Sequence, residues 1–321
     1  MGQVSVKESP LSHVQNALHY AQDVVAGRVS ACKWVKAACQ RQIDDLERED
    51  DPAWPYYFDD DAAERVCVFI GLLRHVKSKW QGNRIALEPF QEFSLCCVFG
   101  WKRKADHLRR FRSVYEELPR KNAKSTKVAG VALYMLIADG EFGAEVYSVA
   151  TTREQARIVF DIAQQMARMD GEFRAKFGIA ALTHSLVARE SGSKFTPLAA
   201  EGSTLDGLNT SCAIIDELHA HKTRQVHDVM DSSTGARGQP LVWKITTAGS
   251  NRAGVCYDQR IYLTKILNAV LKRHDGLGYK VDGESADDES FWGVIYTIDE
   301  GDDPLDEATW RKANPNYGIS V

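Results

Sequence analysis

The chain has 321 residues, 44% of them hydrophobic and 26% charged, with a mean hydropathy of -0.34; this supports a buried core the size of about two ordinary domains and excludes a disordered or collagen-like chain. The net charge of -4 hides an asymmetry, because the last 41 residues hold eleven Asp/Glu against two Lys/Arg and the first 280 therefore sum to +5. The longest apolar run, Val128 to Ala138, is eleven residues, well short of the roughly 20 of a membrane-crossing helix, and predicts a buried helix.

Met1–Pro10 lacks the basic-then-apolar order of a secretion signal, so a cytoplasmic location is expected. The seven cysteines form an odd set with no C-x-x-C pair, which predicts free, mostly buried thiols rather than a zinc centre. From Leu11 to about Leu46, apolar residues recur at helical spacing, and a second helical pattern runs from Asp61 to Val76. Between them Glu49–Asp60, with Pro52 and Pro55, reads as a loop.

After Gly82, short β-branched and aromatic runs alternate with helical stretches. The predicted strands are Phe111–Glu116, Glu145–Val149, His184–Ala188, Lys194–Leu198, Cys212–Ile215, Leu241–Thr246 and Trp292–Ile298, with helices from Ser125, over Arg153–Met169 and over Asp258–His274. This alternation predicts an α/β fold with a mainly parallel sheet flanked by helices. Trp101 to Arg112 carries six basic residues, Lys102, Arg103, Lys104, Arg109, Arg110 and Arg112, against one Asp; it suits either a solvated face or a surface for phosphates.

Pro119-Arg120-Lys121-Asn122-Ala123-Lys124-Ser125-Thr126 lies between a strand and a long apolar helix. A loop there presents backbone N–H groups and a helix N-terminus to phosphate oxygens, with Lys124 reaching the β- and γ-phosphates of ATP and the Ser125 hydroxyl ligating Mg2+. The usual glycines of such a loop are replaced by Leu118 and Ala123. Cys212-Ala213-Ile214-Ile215-Asp216-Glu217 is an apolar strand ending in two acids, expected to lie beside the phosphate-loop strand, with Asp216 holding Mg2+ and Glu217 polarising the attacking water. Thr246 and Thr247 end a later strand, where a γ-phosphate sensor belongs or where a polar strand end simply precedes a turn. The Gln91 amide offers both a donor and an acceptor to adenine, although a lone Gln is also an ordinary surface residue. His219, His221 and His227 follow the two acids and read as loop or helix-start residues rather than a metal site.

At these positions the sequence resembles the large terminase subunit of tailed double-stranded DNA phages. The residues that carry the resemblance are Asp23-Val24-Val25-Ala26-Gly27, Leu87-Glu88-Pro89-Phe90-Gln91, Phe99-Gly100-Trp101, Arg109-Arg110-Phe111-Arg112, the deviant phosphate loop with its early Arg120, Ile215-Asp216-Glu217-Leu218, Thr246-Thr247-Ala248-Gly249 and Ala313-Asn314-Pro315-Asn316. The resemblance implies a P-loop NTPase of the ASCE/RecA-like type with an N-terminal α-helical subdomain over 1–85, the ATPase core over 86–265 and a terminal part over 266–321. It implies a Mg2+-dependent ATPase in which Gln91 and residues 120–126 bind ATP, Ser125 and Asp216 hold the metal, and Glu217 is the base. Arg120 would stabilise transition-state charge, and Thr246 and Thr247 would couple hydrolysis to movement. Arg189 and Lys194 are weaker candidates for an arginine-finger role in trans.

The implied function is the motor that drives double-stranded DNA into a procapsid in the host cytoplasm, with the small terminase subunit and portal protein as partners and a homo-oligomeric ring as the assembly. The family's nuclease half is not expected in this chain, and Asp299, Glu300, Asp302 and Asp303 read as a solvated linker. A helicase- or recombinase-like ATPase, or a non-hydrolysing DNA-binding assembly module, are the alternatives. Ala123 is expected to have negative φ, where its side chain is harmless.

Overall fold

The computed structural model describes residues 11–199, 207–221, 223–249, 251–274 and 283–321; the expectations for Met1–Pro10 and for the first part of the acidic stretch after His274 lie outside them. The N-terminal helical pattern resolves into α1 (His13–Val25) and α2 (Lys33–Glu47), separated at Gly27, whose φ of +75° ends the first helix. Ser12 starts α1 with a closed capping box: its hydroxyl accepts the Gln15 N–H while its own N–H donates to the Gln15 side chain. The Glu49–Asp60 stretch contains β1 (Tyr56–Phe58), so it is not wholly loop. After α3 (Asp60–Gly71) comes α4 (Pro89–Gly100), leading into β2 (Trp101–Arg103), which pairs antiparallel with β1.

The second half holds β3 (Ser113–Glu117), α5 (Lys124–Ile137), β4 (Glu145–Ala150), α6 (Arg153–Met169), α7 (Gly171–Lys176), β5 (Ile179–Ala181), β6 (Leu186–Ala188), β7 (Ser193–Ala199), β8 (Thr210–Ile215), α8 (Gln225–Ser232), β9 (Leu241–Thr246), α9 (Val255–Arg273), β10 (Phe291–Ile295) and α10 (Glu307–Ala313). Eight strands form one sheet in the order β10-β3-β9-β8-β4-β7-β6-β5. The first six are parallel and β6 and β5 extend the edge antiparallel. The mainly parallel α/β sheet is thus as expected, but its order corrects one expectation. β9 lies between β3 and β8, so the strand ending in Asp216-Glu217 is not the neighbour of the phosphate-loop strand.

The basic Trp101–Arg112 segment is neither a solvated face nor a phosphate surface as a whole. Arg109 is fully buried and makes paired hydrogen bonds to the Asp139 carboxylate at 2.8 and 2.9 Å. Arg110 is buried against Asp45 at 2.8 Å and Glu289, with Trp54, Tyr56, Trp101 and Phe111 around its guanidinium. Both cations are enclosed because each has a carboxylate partner and apolar walls, the condition under which a buried charge is tolerated. All seven cysteines are free and buried.

Candidate nucleotide site

Because β3, β9 and β8 run parallel, their carboxyl ends lie on one edge of the sheet, and the segments that leave them are brought together there. The loop from Leu118 to Ala123 is fastened to this edge by the Leu118 N–H donating to the Thr246 carbonyl at 3.0 Å. Lys121 and Ala123 both have left-handed backbone, with φ of 67° and 57°. The expectation that Ala123 has negative φ is therefore corrected. Alternating backbone hand curls a loop into the concavity that precedes an anion-binding helix N-terminus, and an alanine there costs about 1 kcal/mol that glycine would not.

Lys124 opens α5 and is largely buried. Its Nζ donates to the Leu118 and Pro119 carbonyls at 2.9 and 3.1 Å, which holds the ammonium at the loop. Burial lowers its pKa, while Glu217 and Asp216 pull it back up. Ser125 and Thr126 are half-buried in the first turn of α5, and Arg120 and Lys121 are exposed on the loop. Asn122 is buried and ties the loop to the end of the chain: its Nδ2 donates to Asn314 Oδ1 at 3.0 Å, and its Oδ1 accepts the Asn316 N–H at 3.1 Å. The Ala313-Asn314-Pro315-Asn316 motif is thus part of the loop's support, a role its sequence did not reveal.

Asp216 is buried immediately after β8, and one of its oxygens accepts the Glu217 N–H at 2.8 Å. Burial and then the adjacent Glu217 carboxylate push its carboxyl up to about 6, against the opposing pull of Lys124. Glu217 itself has φ 48°, a left-handed turn that carries the chain away from the strand end. Its Oε2 lies 3.1 Å from His219 Nδ1 and 3.5 Å from the Thr247 hydroxyl. His219 Nδ1 is also 3.0 Å from Thr246 Oγ1. The Thr246 hydroxyl proton is committed to the Thr247 carbonyl at 2.8 Å, so Nδ1 carries a proton and donates. His219 therefore joins Glu217 to the β9 end, which the reading of it as a plain loop residue missed. Gly249 is required beside it, since a Cβ there would stand 2.8 Å from His219 Cβ. Among the described residues, no group of His, Cys, Asp and Glu could by itself hold a metal ion.

At the other side of the loop lies a cavity of about 230 Å³, walled by Trp80, Ile85, Leu87 and Ile319 and reached by Gln91, Ala123, Thr126 and Asn316. Gln91 does not offer both of its amide groups freely: its Oε1 accepts the Glu88 N–H at 3.0 Å, which leaves the NH2 as its uncommitted face. The two trans candidates sit elsewhere. Lys194 pairs with Glu145 at 3.1 Å, at the amino ends of β7 and β4, and Arg189 precedes β7 at that same far edge. Asp299 and Asp302 are not solvated linker residues either; both clasp Lys312, at 3.1 and 2.7 Å.

The chain matches the family described as terminase large subunit, ATPase domain, over residues 89–265, which is more than half its length. It belongs to that family. The terminase large subunit of Enterobacteria phage HK97 is 30% identical over 195 residues, covering 59% of this chain and 37% of that protein. Protein YmfN of Escherichia coli K12 is 45% identical over 116 residues, covering 36% of this chain and 22% of its own. The crystal structure of the HK97 large terminase superposes with a TM-score of 0.62 at 24% identity, over 81% of this chain and 49% of that one, which shows a shared fold. The chain spans less than half the length of each of these relatives.

Proposed function

We propose that this chain binds and hydrolyses ATP at the edge formed by β3, β9 and β8, and that it works as the ATPase part of a motor driving double-stranded DNA into a procapsid. The observation that carries the reading is the gathering of a lysine at a helix N-terminus, an Asp-Glu pair whose Asp216 is buried and whose Glu217 is part-exposed, and a threonine pair at adjoining carboxyl ends of one parallel sheet. Lys124 and the first N–H groups of α5 hold the β- and γ-phosphates. Glu217, held by His219 and Thr247, orients water toward the γ-phosphorus. Arg120, exposed on the loop, meets charge that develops during transfer, and Thr246 and Thr247 respond to the loss of phosphate.

The residues present fit a hard divalent cation. Asp216 is a carboxylate whose pKa is raised first by burial and then by the Glu217 carboxylate beside it, and a buried negative charge next to a second one is what Mg2+ offsets. Ser125 and Asp216 would hold it, and when bound it would neutralise charge on the phosphate oxygens. The small subunit, the portal and a homo-oligomeric ring remain the proposed partners and assembly.

The test is ATP hydrolysis with Mg2+, with and without double-stranded DNA, comparing the parent with Lys124→Ala and Glu217→Gln. Loss of turnover by about 100-fold or more in both variants, with ATP binding retained in Glu217→Gln, supports the site. Stimulation by duplex DNA without strand separation supports the motor and opposes a helicase. ATP binding that ignores Lys124→Ala overturns the assignment.

A further inference from the structure

We propose that Asn316, on the segment after α10, is the residue that selects adenine over guanine, and that the cavity between Leu87, Gln91 and Ile319 is the base subsite. The proposal rests on the nucleotide reading given above. The cavity adjoins the phosphate loop directly, since Ala123 and Thr126 reach both. Its roughly 230 Å³ falls below the ~300 Å³ at which whole drug-sized ligands are usually enclosed and suits one flat bicyclic base with the sugar and phosphates outside. Its surface is mostly apolar although His75, Asn83, Arg84, Glu88 and Lys127 also border it, and the polar atom within it that is buried without a partner, Asn316 Oδ1, has the most to gain from a base.

Adenine carries an amino group at position 6, where guanine carries a carbonyl oxygen. Discrimination therefore needs an acceptor. Gln91 has one lone pair of its carbonyl committed to the Glu88 N–H, which turns it toward the role of donor. Asn316 supplies the missing acceptor. It is 3% exposed, it lines the cavity, and its Oδ1 is buried with no hydrogen-bond partner. A buried amide oxygen without a partner is costly, and it is the kind of atom that a ligand satisfies.

The identity of that atom as oxygen follows from its neighbours. Ser320 Oγ donates its single proton to the Lys121 carbonyl at 2.6 Å. It must therefore accept from Asn316, so the NH2 of Asn316 faces Ser320 at 2.8 Å and the oxygen faces away. The same residue's backbone N–H donates to Asn122 in the phosphate loop. Main chain and side chain of Asn316 thus serve two ends of one ligand: the first holds the loop, the second reads the base. A guanine in the same place would set two carbonyl oxygens against each other, and it would also leave Oδ1 unpaired.

The experiment measures equilibrium binding of ATP, GTP and inorganic tripolyphosphate to the 321-residue chain, by calorimetry, for the parent, Asn316→Ala, Asn316→Asp and Ser320→Ala. The parent is expected to prefer ATP to GTP by at least about tenfold, and Asn316→Ala to erase most of that preference while tripolyphosphate binding is unchanged. Asn316→Asp keeps an acceptor and should keep the preference. Ser320→Ala removes both the loop contact and the partner that orients the Asn316 amide, so it should weaken all three ligands together and lower the ATP-to-GTP ratio part of the way toward that of Asn316→Ala. A ratio unaltered in Asn316→Ala, with binding still dependent on Lys124, overturns this inference and leaves the nucleotide site standing. Binding independent of Lys124 overturns the underlying site instead.

Discussion

Asp216 illustrates how a site residue can cost the fold. Its folded pKa, about 6, stands above the ordinary 3.8, so the native state holds the proton more tightly than the unfolded chain. The contribution of this group to stability therefore falls as pH rises from about 4 to about 6, and the full penalty is present at pH 7. Asp216→Asn is expected to stabilise the protein by about 2 kcal/mol at pH 7 and by almost nothing at pH 4, read from urea denaturation at the two pH values, while hydrolysis is lost. Adding Mg2+ should raise the melting temperature of the parent and leave that of Asp216→Asn unmoved; equal shifts in both would place the cation elsewhere. His219 calls for a different measurement. It is within hydrogen-bond distance of both Glu217 and Thr246, so in the proposed site it would position Glu217 rather than touch substrate. His219→Ala should lower kcat by about tenfold with nucleotide affinity unchanged, whereas a fall in affinity of the same size would mean that the histidine supports the phosphate loop instead.

Among the elements, those with a clear period or with turn residues at their ends were legible from sequence, and one helix buried on every side was not. α6 runs over Arg153–Met169 as read, because its polar and apolar faces alternate cleanly, and β9 matches Leu241–Thr246 because turn residues bound it. α4 escaped notice: eleven of its twelve residues are buried, so no polar stripe marks the helical period. The acids at the end of β8 were legible as chemistry, yet the sheet order that separates them from β3 was not, because strand order is a matter of long-range packing. The support of the phosphate loop by Asn314 and Asn316 was invisible for the same reason, the partners being nearly 200 residues from Asn122. β10 shows how tight that packing is. Gly293 stands opposite Tyr115, and a Cβ on it would lie 2.6 Å from the Tyr115 carbonyl oxygen and 2.7 Å from Leu263. Backbone cannot yield there without breaking the ladder, so Gly293→Ala should cost at least ~2 kcal/mol, measured by chemical denaturation. A neutral result would mean that β10 can shift along β3 at no cost.

For the molecule as a whole, the question is whether the N-terminal helices are a unit of stability or only a stretch of sequence. The proposed division at residue 85 has the look of a helical subdomain followed by a sheet, but the contacts cross it freely. The Tyr20 and Tyr296 hydroxyls meet at 3.3 Å, Cys32 Sγ donates to the Ile295 carbonyl at 3.1 Å, and Arg41 donates to the Phe291 carbonyl at 2.8 Å. Asp45 on α2 is a partner of Arg110, which in turn holds Glu289 just before β10. One apolar core runs from Ala17 on α1 through the sheet to Tyr296. Removing α1 and α2 would expose this core and strand Arg110 without one of its carboxylates, a change that costs several kcal/mol on its own. Unfolding in urea should therefore be a single transition, with tryptophan fluorescence and far-ultraviolet circular dichroism coincident, since Trp34 and Trp54 report on the helical part and Trp243 and Trp292 on the sheet. Asp45→Ala should move both signals together to lower urea. Two separated transitions, with the N-terminal one alone moved by Asp45→Ala, would make residues 1–85 an autonomous unit docked on the sheet. Movement between helices and sheet during the proposed ATPase cycle would then be possible, whereas a single transition would confine the working motion to the loops at the strand ends.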